Sequence, residues 1–194
     1  MSKTFPAYNR QSIYIHSSLH DASTQLAGCL QELLRPCTHT GRELVLLCIG
    51  TSRIIGDSLG PIIGHNLSAL PKVSACNFHI YGTLNNPVHA KNLSQTLDSI
   101  YTRHENPMIV AIDASLGRPQ SVGYVTIGIG GLTPGTGVRN NLPTVGDIHI
   151  TGIVNVSGNA NFAVLQSTKL AVVVKLAGII TEGFIQTLQH LYIE

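Results

Sequence analysis

The stretch Leu44–Pro61, LVLLCIGTSRIIGDSLGP, decides the fold of this chain. It begins with a continuous apolar run, which is typical of a strand covered on both faces. Gly50–Asp57 is predicted to be a loop, and a helix is predicted to begin near Ser58–Pro61, because proline is well tolerated in the first turn of a helix. This order of strand, loop and helix indicates the first unit of a parallel α/β sheet.

The same alternation continues along the chain. Further strands are predicted at Ser74–Tyr81, Met108–Ile112, Ser121–Ile129 and Asp147–Val154. Helices are predicted from Asp21 or Ser23 to Pro36, around His89–His104, and from Asn161 to Tyr192 with a break near Ser167–Thr168. The first twenty residues are interpreted as a peripheral arm. We therefore expect one α/β domain, a three-layer α/β/α sandwich with a mostly parallel central sheet and right-handed crossovers.

Composition limits the classes of function. The chain has 194 residues, of which 43% are hydrophobic and 11% charged, and its formal net charge is +2. Such a chain can bury a sizeable core. Its basic residues form no run, its aromatic residues are few, and tryptophan is absent. We therefore expect neither a nucleic-acid partner nor an anionic membrane surface.

Cysteine usage and the N-terminus indicate a cytoplasmic protein. The four cysteines, Cys29, Cys37, Cys48 and Cys76, form no CxxC pair and are expected to be buried free thiols. The N-terminus lacks the uninterrupted apolar segment of a secretory signal. The longest apolar stretch, around Leu170–Ile180, contains Lys175 and is judged too short to span a bilayer.

Two acids follow apolar strand patterns: Asp57 in GDSLGP and Asp113 in IVAIDASLG. Because the carboxyl ends of parallel strands line one crevice, these two side chains are expected to converge there. Two carboxylates that come close retain one shared proton near neutral pH, so one can act as a base and the other as an acid. This arrangement suits hydrolysis by an activated water.

Each acid also has a purely structural interpretation. Asp57 could cap the following helix, and Asp113 could form a turn with its own backbone. If the acids lie farther apart they could instead bind a divalent metal, which would require a third ligand. His89 and His149 are the best candidates for that ligand by position. The chain has neither the HExxH spacing of zinc proteases nor a GxSxG nucleophile elbow.

The motifs GDSLGP, IVAIDASLG and GLTPGTGVRNNLP resemble those of germination protease, the spore protease of endospore-forming bacteria. The resemblance is closer still to the shorter sporulation-associated proteins that are spore-protease-like, through GTLNNPVHA, VGDIHITGIVNVSG and LQSTKL. It spans roughly residues 40–180. A more distant similarity is to the hydrogenase maturation proteases, which have an α/β fold of the phosphorylase/hydrolase-like kind and acids at comparable strand ends.

The resemblance implies a sporulation or germination endopeptidase in the cytoplasm of the sporulating cell or the spore. The acids that match its catalytic pair are Asp57 and Asp113. The resemblance does not fix which acid is the base, nor does it extend to processing, substrate or oligomeric state, so a homo-oligomer stays open. Loops Gly82–Pro87 and Gly130–Gly146 are expected to shape a peptide groove. The expected substrate-binding residues are Ser52, Arg53, Thr83, Asn85, Thr133, Thr136 and Arg139, with Asn140 a further candidate.

Two alternatives stay open at this point. In hydrogenase maturation proteases, two acids and a histidine bind nickel of the substrate, so a metal-dependent hydrolase is one alternative. It would use Asp57 and Asp113 with His89 or His149 around a divalent ion, whereas the aspartate pair alone needs no cofactor. The other alternative is a binding protein that keeps the protease fold without turnover. Its hallmark would be two carboxylates too far apart to share a water or a proton.

Overall fold

The computed structural model describes residues 12–70, 78–135 and 142–192, with the backbone alone at 37–39 and at 192. Within these residues the strands are Ile13–His16 (β1), Leu44–Cys48 (β2), Phe78–Tyr81 (β3), Met108–Gly117 (β4), Tyr124–Ile129 (β5) and Ile148–Val156 (β6). The α-helices are Ala22–Thr40 (α1), Leu59–Ser68 (α2), Leu93–Arg103 (α3), Asn161–Gln166 (α4) and Leu170–Tyr192 (α5).

The strands form one mixed sheet in the order β1-β5-β6-β4-β2-β3. The four strands β3, β2, β4 and β6 run parallel, whereas β5 and β1 are antiparallel to their neighbours. The parallel part brings the carboxyl ends of β2, β4 and β6 to one edge of the sheet. The α/β fold expected from the sequence is thus confirmed, and the strand predicted at Ser121–Ile129 is present as β5.

Alternate residues of β2 face two separate apolar clusters. Leu44, Leu46 and Cys48 belong to a cluster that includes side chains of α1, α2 and α5. Val45 and Leu47 belong to a second, smaller cluster that includes side chains of α3. All five residues are buried, as expected for a strand with helices on both faces. This alternation produces the three layers.

Helix α1 extends beyond its predicted end. Pro36 lies inside the helix, which continues to Thr40 and ends at Gly41 with a left-handed φ of +66°. Glycine adopts this conformation without a steric cost, so it is the residue that terminates the helix. The prediction that Pro36 ends the helix is wrong, because the buried leucines of the preceding turns fix the helix axis and the chain re-forms a helical turn after the proline.

Two further differences affect the sheet. Asp113 does not end its strand: β4 continues to Gly117 alongside β6, with a register irregularity between Ser115 and Leu116. Part of the predicted N-terminal arm, Ile13–His16, is an edge strand paired with β5. The short pattern of this strand has only Ile15 fully buried, so periodicity in the sequence gives little sign of it.

Helix α5 is the most apolar element. Its segment Leu170–Leu191 has a mean hydropathy of 1.5 and is long enough to pass a length-and-composition test for a membrane span. Within the part of the chain that the structure describes, it is the one segment that passes. In the structure Val173, Ile180 and Phe184 are fully buried in the larger cluster. The expectation that this stretch is too short to span a bilayer is therefore wrong in length, although 44% of the window is buried inside the protein.

The described cysteines agree with the expectation of free thiols. Cys48 is buried in β2 and Cys29 is half-buried on α1, and both are unpaired. Burial raises the pKa of the Cys48 thiol far above its usual range, so this sulfur is not a reactive thiolate. Cys76 and the side chain of Cys37 lie outside the described residues.

Candidate active site

The loop after β2 positions Asp57 by a close approach of the backbone. Gly50 has φ of +138°, and a Cβ atom on this residue would lie 2.0 Å from the carbonyl oxygen of Asp57. The next residue, Thr51, donates its backbone N–H to that carbonyl at 3.0 Å. Only a glycine fits this turn, which folds the loop back onto the short 3₁₀-helix Ile55–Asp57. Asp57 does not cap α2, because the N-cap residue is Ser58.

Asp113 reaches the site from the middle of β4. It pairs in register with Thr151 of β6 and is 8% exposed. Its carboxylate Oδ1 accepts the backbone N–H of Ala114 at 2.8 Å. The contact to its own backbone is therefore present, but in a strand rather than in the turn that the structural interpretation assumed. The register irregularity two residues later is a feature that often lies beside active sites.

Both acids line one cavity of about 270 Å³ at the carboxyl edge of the sheet. The remaining lining comes from β4, β6, α4 and the loops around them: Ala114, Ser115, Leu116, Leu132, Thr133, Gly135, Thr151, Ser157, Asn161 and Leu165. Polar hydroxyl and amide groups thus surround the carboxylates, and leucine side chains close the walls. The volume approaches the lower end of the range for ligand pockets.

The environment raises the pKa values of both acids. Burial raises the pKa of Asp57 to about 6, against the smaller opposing effect of a hydrogen bond from the Thr51 backbone. Burial raises the pKa of Asp113 well above its usual range, and the negative charge of Asp57 raises it further. Backbone N–H groups of Ala114 and Gly135 act in the opposite sense. The pair therefore favours one carboxylate and one protonated carboxyl group near neutral pH.

The hydroxyl groups beside Asp113 form a connected chain. Ser115 Oγ donates to Thr151 Oγ1 at 3.3 Å, and Thr151 and Thr126 share a hydrogen bond of 2.7 Å. These groups lie on β4, β6 and β5 in turn, so the sheet register itself sets their spacing. They provide hydrogen-bonding groups that a polar ligand in the cavity can meet.

The predicted substrate-binding residues have different outcomes. Thr133 lines the cavity and shares a hydrogen bond of 2.9 Å with Thr144. Ser52 and Arg53 are exposed on the loop after β2 and are not lining residues. Thr83 bonds within its own turn, its hydroxyl accepting the N–H of Asn86 at 3.1 Å.

Asn85 is exposed and is not among the lining residues either. Hence the expectation that Gly82–Pro87 helps to shape the groove has no support from the cavity lining. The start of the Gly130–Gly146 loop does line the cavity, through Leu132, Thr133 and Gly135. Thr136, Arg139 and Asn140 lie outside the described residues.

The two histidines considered as a third metal ligand are placed elsewhere. His149 has both ring nitrogens engaged, with Ser12 Oγ at 3.1 Å and the carbonyl oxygen of Gly130 at 2.9 Å. His89 is half-buried at the end of the loop after β3. Neither is among the cavity-lining residues that the structure describes.

Sequence reasoning missed the contribution of the C-terminal segment. Ser157, Asn161 and Leu165 complete the cavity from the end of β6 and from α4. Gly56 is in close contact with this segment, because a Cβ on it would lie 2.8 Å from Leu165 and from Thr168 Oγ1. The motif LQSTKL contains Leu165 and Thr168, but only the folded chain shows that it packs on the loop before α2.

The fold and the cavity define an α/β protein with one buried and one half-buried acid in a shared cavity at the carboxyl edge of a mostly parallel sheet. The chain belongs to the family described as "Protein of unknown function (DUF1256)", whose model matches residues 14–183. It is similar to the "Uncharacterized protein YyaC" of Bacillus subtilis (strain 168), with 44% identity over 179 residues, which is 92% of this chain and 85% of that relative. These descriptions name no activity, so the function is argued from the site.

Proposed function

We propose that this protein is an endopeptidase that hydrolyses peptide bonds with the pair Asp57 and Asp113. The observation that carries the proposal is the convergence of the two acids in one cavity, where the charge of Asp57 raises the pKa of Asp113. Structural acids are instead usually satisfied by a cation or a helix terminus, and their pKa values fall. Perturbed acids in a cleft mark functional sites.

Both pKa values are raised, but to different extents, and this difference suggests separate roles. Asp57, with a pKa of about 6, is largely a carboxylate at neutral pH and suits the general base. Asp113 holds its proton more strongly and suits the general acid. The base would take a proton from a water as its oxygen attacks the peptide carbonyl carbon, and the acid would donate a proton to the carbonyl oxygen.

Collapse of the tetrahedral intermediate would then break the C–N bond. The leaving nitrogen takes up the proton that Asp57 removed from the water, and Asp113 recovers its own from the intermediate hydroxyl group. No metal is needed in this cycle. The cavity of about 270 Å³ accommodates a short extended segment, so we expect the substrate to be a flexible region of a peptide or protein.

The cellular setting of the proposal is sporulation or germination, in the cytoplasm of the sporulating cell or the spore. It rests on the resemblance of GDSLGP and IVAIDASLG to the spore-protease motifs. Thr133 is proposed to contact the substrate, because it lines the cavity from the glycine-rich loop. Ser115 and Thr151 are added as candidates on the same ground.

The test is cleavage of a peptide library and of spore protein extracts, with new N-termini identified by mass spectrometry. Asp57→Asn and Asp113→Asn should each lower the rate by roughly 10²–10⁴-fold, the usual contribution of general acid–base catalysis. The matched control is Asp98→Asn, which changes an exposed acid on α3 and should keep full activity.

Three results would reject the metal-free pair. Full activity of either active-site variant removes the mechanism. Activity that a chelator abolishes and a divalent ion restores favours the metal-dependent alternative. Specific binding of a peptide without any cleavage, unchanged in both variants, favours a binding protein with a protease fold.

A further inference from the structure

A second cluster of ionisable side chains lies at the opposite, amino end of the sheet. Glu43 immediately precedes β2, His79 lies in β3, and His104 follows the last residue of α3. The parallel register pairs Val45 of β2 with His79, and Glu43, two residues before Val45, lies on the same face of the sheet. The cluster is separated from the acid cavity by the length of the strands, about 17 Å for five residues.

The three side chains direct ligand-type atoms at one point. Glu43 Oε2 lies 2.5 Å from Nδ1 of His104 and 2.9 Å from Nε2 of His79. One ligand atom from each residue lies within 4.8 Å of the other two. The two imidazole rings are adjacent, with centroids 4.2 Å apart. Nitrogen and oxygen donors of this kind are a common ligand set for zinc.

The hydrogen bonding of the cluster is incomplete in a way that points to an ion. His79 Nε2 is buried and has no hydrogen-bond partner, although the carboxylate oxygen of Glu43 is only 2.9 Å away. By distance this contact is an ion pair, and it contributes to the lowered pKa of Glu43, but it lacks good hydrogen-bond geometry, so the buried nitrogen has no well-aligned partner. A cation between the nitrogen and the carboxylate would satisfy both atoms.

The far nitrogen of His104 is already held. Its Nε2 forms a hydrogen bond of 2.9 Å with the hydroxyl group of Tyr81. This contact orients the ring so that Nδ1 faces the cluster, and an outer partner of this type is characteristic of histidines that bind metals. Tyr81 lies two residues after His79 on β3, so both point to the same face of the sheet.

We propose that Glu43, His79 and His104 form a binding site for a divalent transition-metal ion of the zinc class. The chain supplies three ligands, and a water molecule completes a tetrahedral shell. In such a shell neighbouring ligand atoms lie roughly 3.3 Å apart for metal–ligand distances of about 2.0 Å. The observed 2.5 Å and 2.9 Å contacts therefore need to open by less than one ångström to admit the ion.

The donor set selects against other cations. Mg²⁺ and Ca²⁺ prefer oxygen ligands, and two imidazoles do not suit them. The site is also reachable, because the side chains of Glu43 and His79 are 27% and 39% exposed, whereas that of His104 is 7% exposed. An ion bound here would join the starts of β2 and β3 to the end of α3.

The experiment uses untagged full-length protein, treated with chelator and then incubated with Zn²⁺ alone. After desalting, we expect about one zinc per chain by elemental analysis, since the site has one ion-binding position. At free zinc about 100-fold above Kd, the Tm should rise by roughly 5–10 °C. The affinity should fall at acid pH, because the ligand histidines must be neutral.

Variants assign the site. His79→Gln and His104→Gln should each lose the bound zinc and the Tm rise, and Glu43→Gln should weaken both. His65→Gln is the matched control, because His65 is exposed on α2 and away from the cluster. Circular dichroism in the presence of chelator shows whether each variant keeps the fold, and the milder Glu43→Gln remains informative if a histidine variant does not.

The proposal is independent of the peptidase proposal. Zinc binding should persist in the double variant Asp57→Asn/Asp113→Asn, so a failure of the acid pair does not affect it. It is overturned if the wild-type protein retains no zinc and shows no Tm rise. It is also overturned if folded His79→Gln and His104→Gln retain zinc at the wild-type level, or if alkylation of the cysteines removes it.

Discussion

The two ends of the parallel sheet place carboxyl groups in opposite electrostatic situations. At the carboxyl end, Asp57 and Asp113 share a cavity, burial raises both pKa values, and the charge of Asp57 raises that of Asp113 further. At the amino end, Glu43 lies between two histidines, and its hydrogen bond with His104 is the main cause of a lowered pKa. The carboxyl end thus holds two acidic groups together, whereas the amino end pairs an acidic group with two histidines.

The difference shows what holds each group in place. The acids gain little from each other, so the backbone must fix them, through the turn at Gly50 and the strand register at Asp113. The Glu43 cluster is fixed by its own side-chain contacts. The two acids of the cavity lower the stability of the fold, and groups of this kind are concentrated at functional sites. The carboxyl end of the sheet is therefore the better candidate for the site of chemistry.

The strongest test of this comparison is the variant Gly50→Ala. The added Cβ would meet the Asp57 carbonyl oxygen at 2.0 Å, and φ of +138° is strained for any side chain. We expect the free energy of unfolding to fall by about 3 kcal/mol or more, from backbone strain together with the clash. Urea denaturation followed by circular dichroism measures this loss.

The control for that substitution is Gly28→Ala on α1. A Cβ on Gly28 has no neighbouring atom within 4 Å, and the residue is exposed. Alanine is the better helix former, so this variant should gain about 0.5–1 kcal/mol. Equal effects of the two substitutions would show that the turn at Gly50 is not what fixes Asp57.

The next largest effect concerns the free energy of unfolding that the acid pair costs the protein. Asp57→Asn and Asp113→Asn should stabilise the protein at pH 7, because each removes a buried group that resists ionisation. A shift of the Asp57 pKa from 3.8 to about 6 corresponds to a gain of roughly 2 kcal/mol after allowance for partial exposure. Thermal and urea unfolding at pH 7 provide the measurement.

The pH dependence has a definite sign. A folded-state pKa above the unfolded value means that the acid costs no stability below about pH 4 and the full amount above about pH 6. Wild-type stability relative to Asp57→Asn should therefore increase as the pH falls from 6 to 4. If the difference between the two proteins is constant over this window, Asp57 is not perturbed, and the proposed acid–base division loses its support.

Much of the carboxyl end could be predicted because its signals are local. The apolar run Leu44–Ile49 specifies a buried strand, and glycines and an acid directly after it indicate a functional loop. The convergence of Asp57 with Asp113 then follows from the geometry of parallel strands. The part that failed was the end of β4, since pairing with β6 extends the strand beyond its apolar residues to Gly117.

The amino end could not be predicted in the same way. Glu43, His79 and His104 are separated by 36 and 25 residues (79 − 43 and 104 − 79) and match no ligand-spacing motif. Their meeting depends on the register of β2 with β3 and on where α3 ends, and neither is encoded by local periodicity. The same holds for Asn161 and Leu165, which reach the cavity only because α4 folds back over the carboxyl edge of the sheet.

The smallest predicted effect lies at the Glu43 cluster in chelator-treated protein. Because the Glu43 pKa is lowered in the folded state, its contribution to stability is present above the unfolded value of 4.5 and is lost as the pH falls below it. Glu43→Gln should therefore lower the Tm at pH 7 by less than the Asp57→Asn substitution raises it, since part of the cluster is open to solvent. The difference between wild type and Glu43→Gln should therefore shrink as the pH falls below 4.5, opposite in sign to the trend at Asp57. If wild-type stability relative to Glu43→Gln instead rises as the pH falls, the Glu43 pKa is raised in the folded state, as it is for Asp57. The contrast between the two ends would then fail.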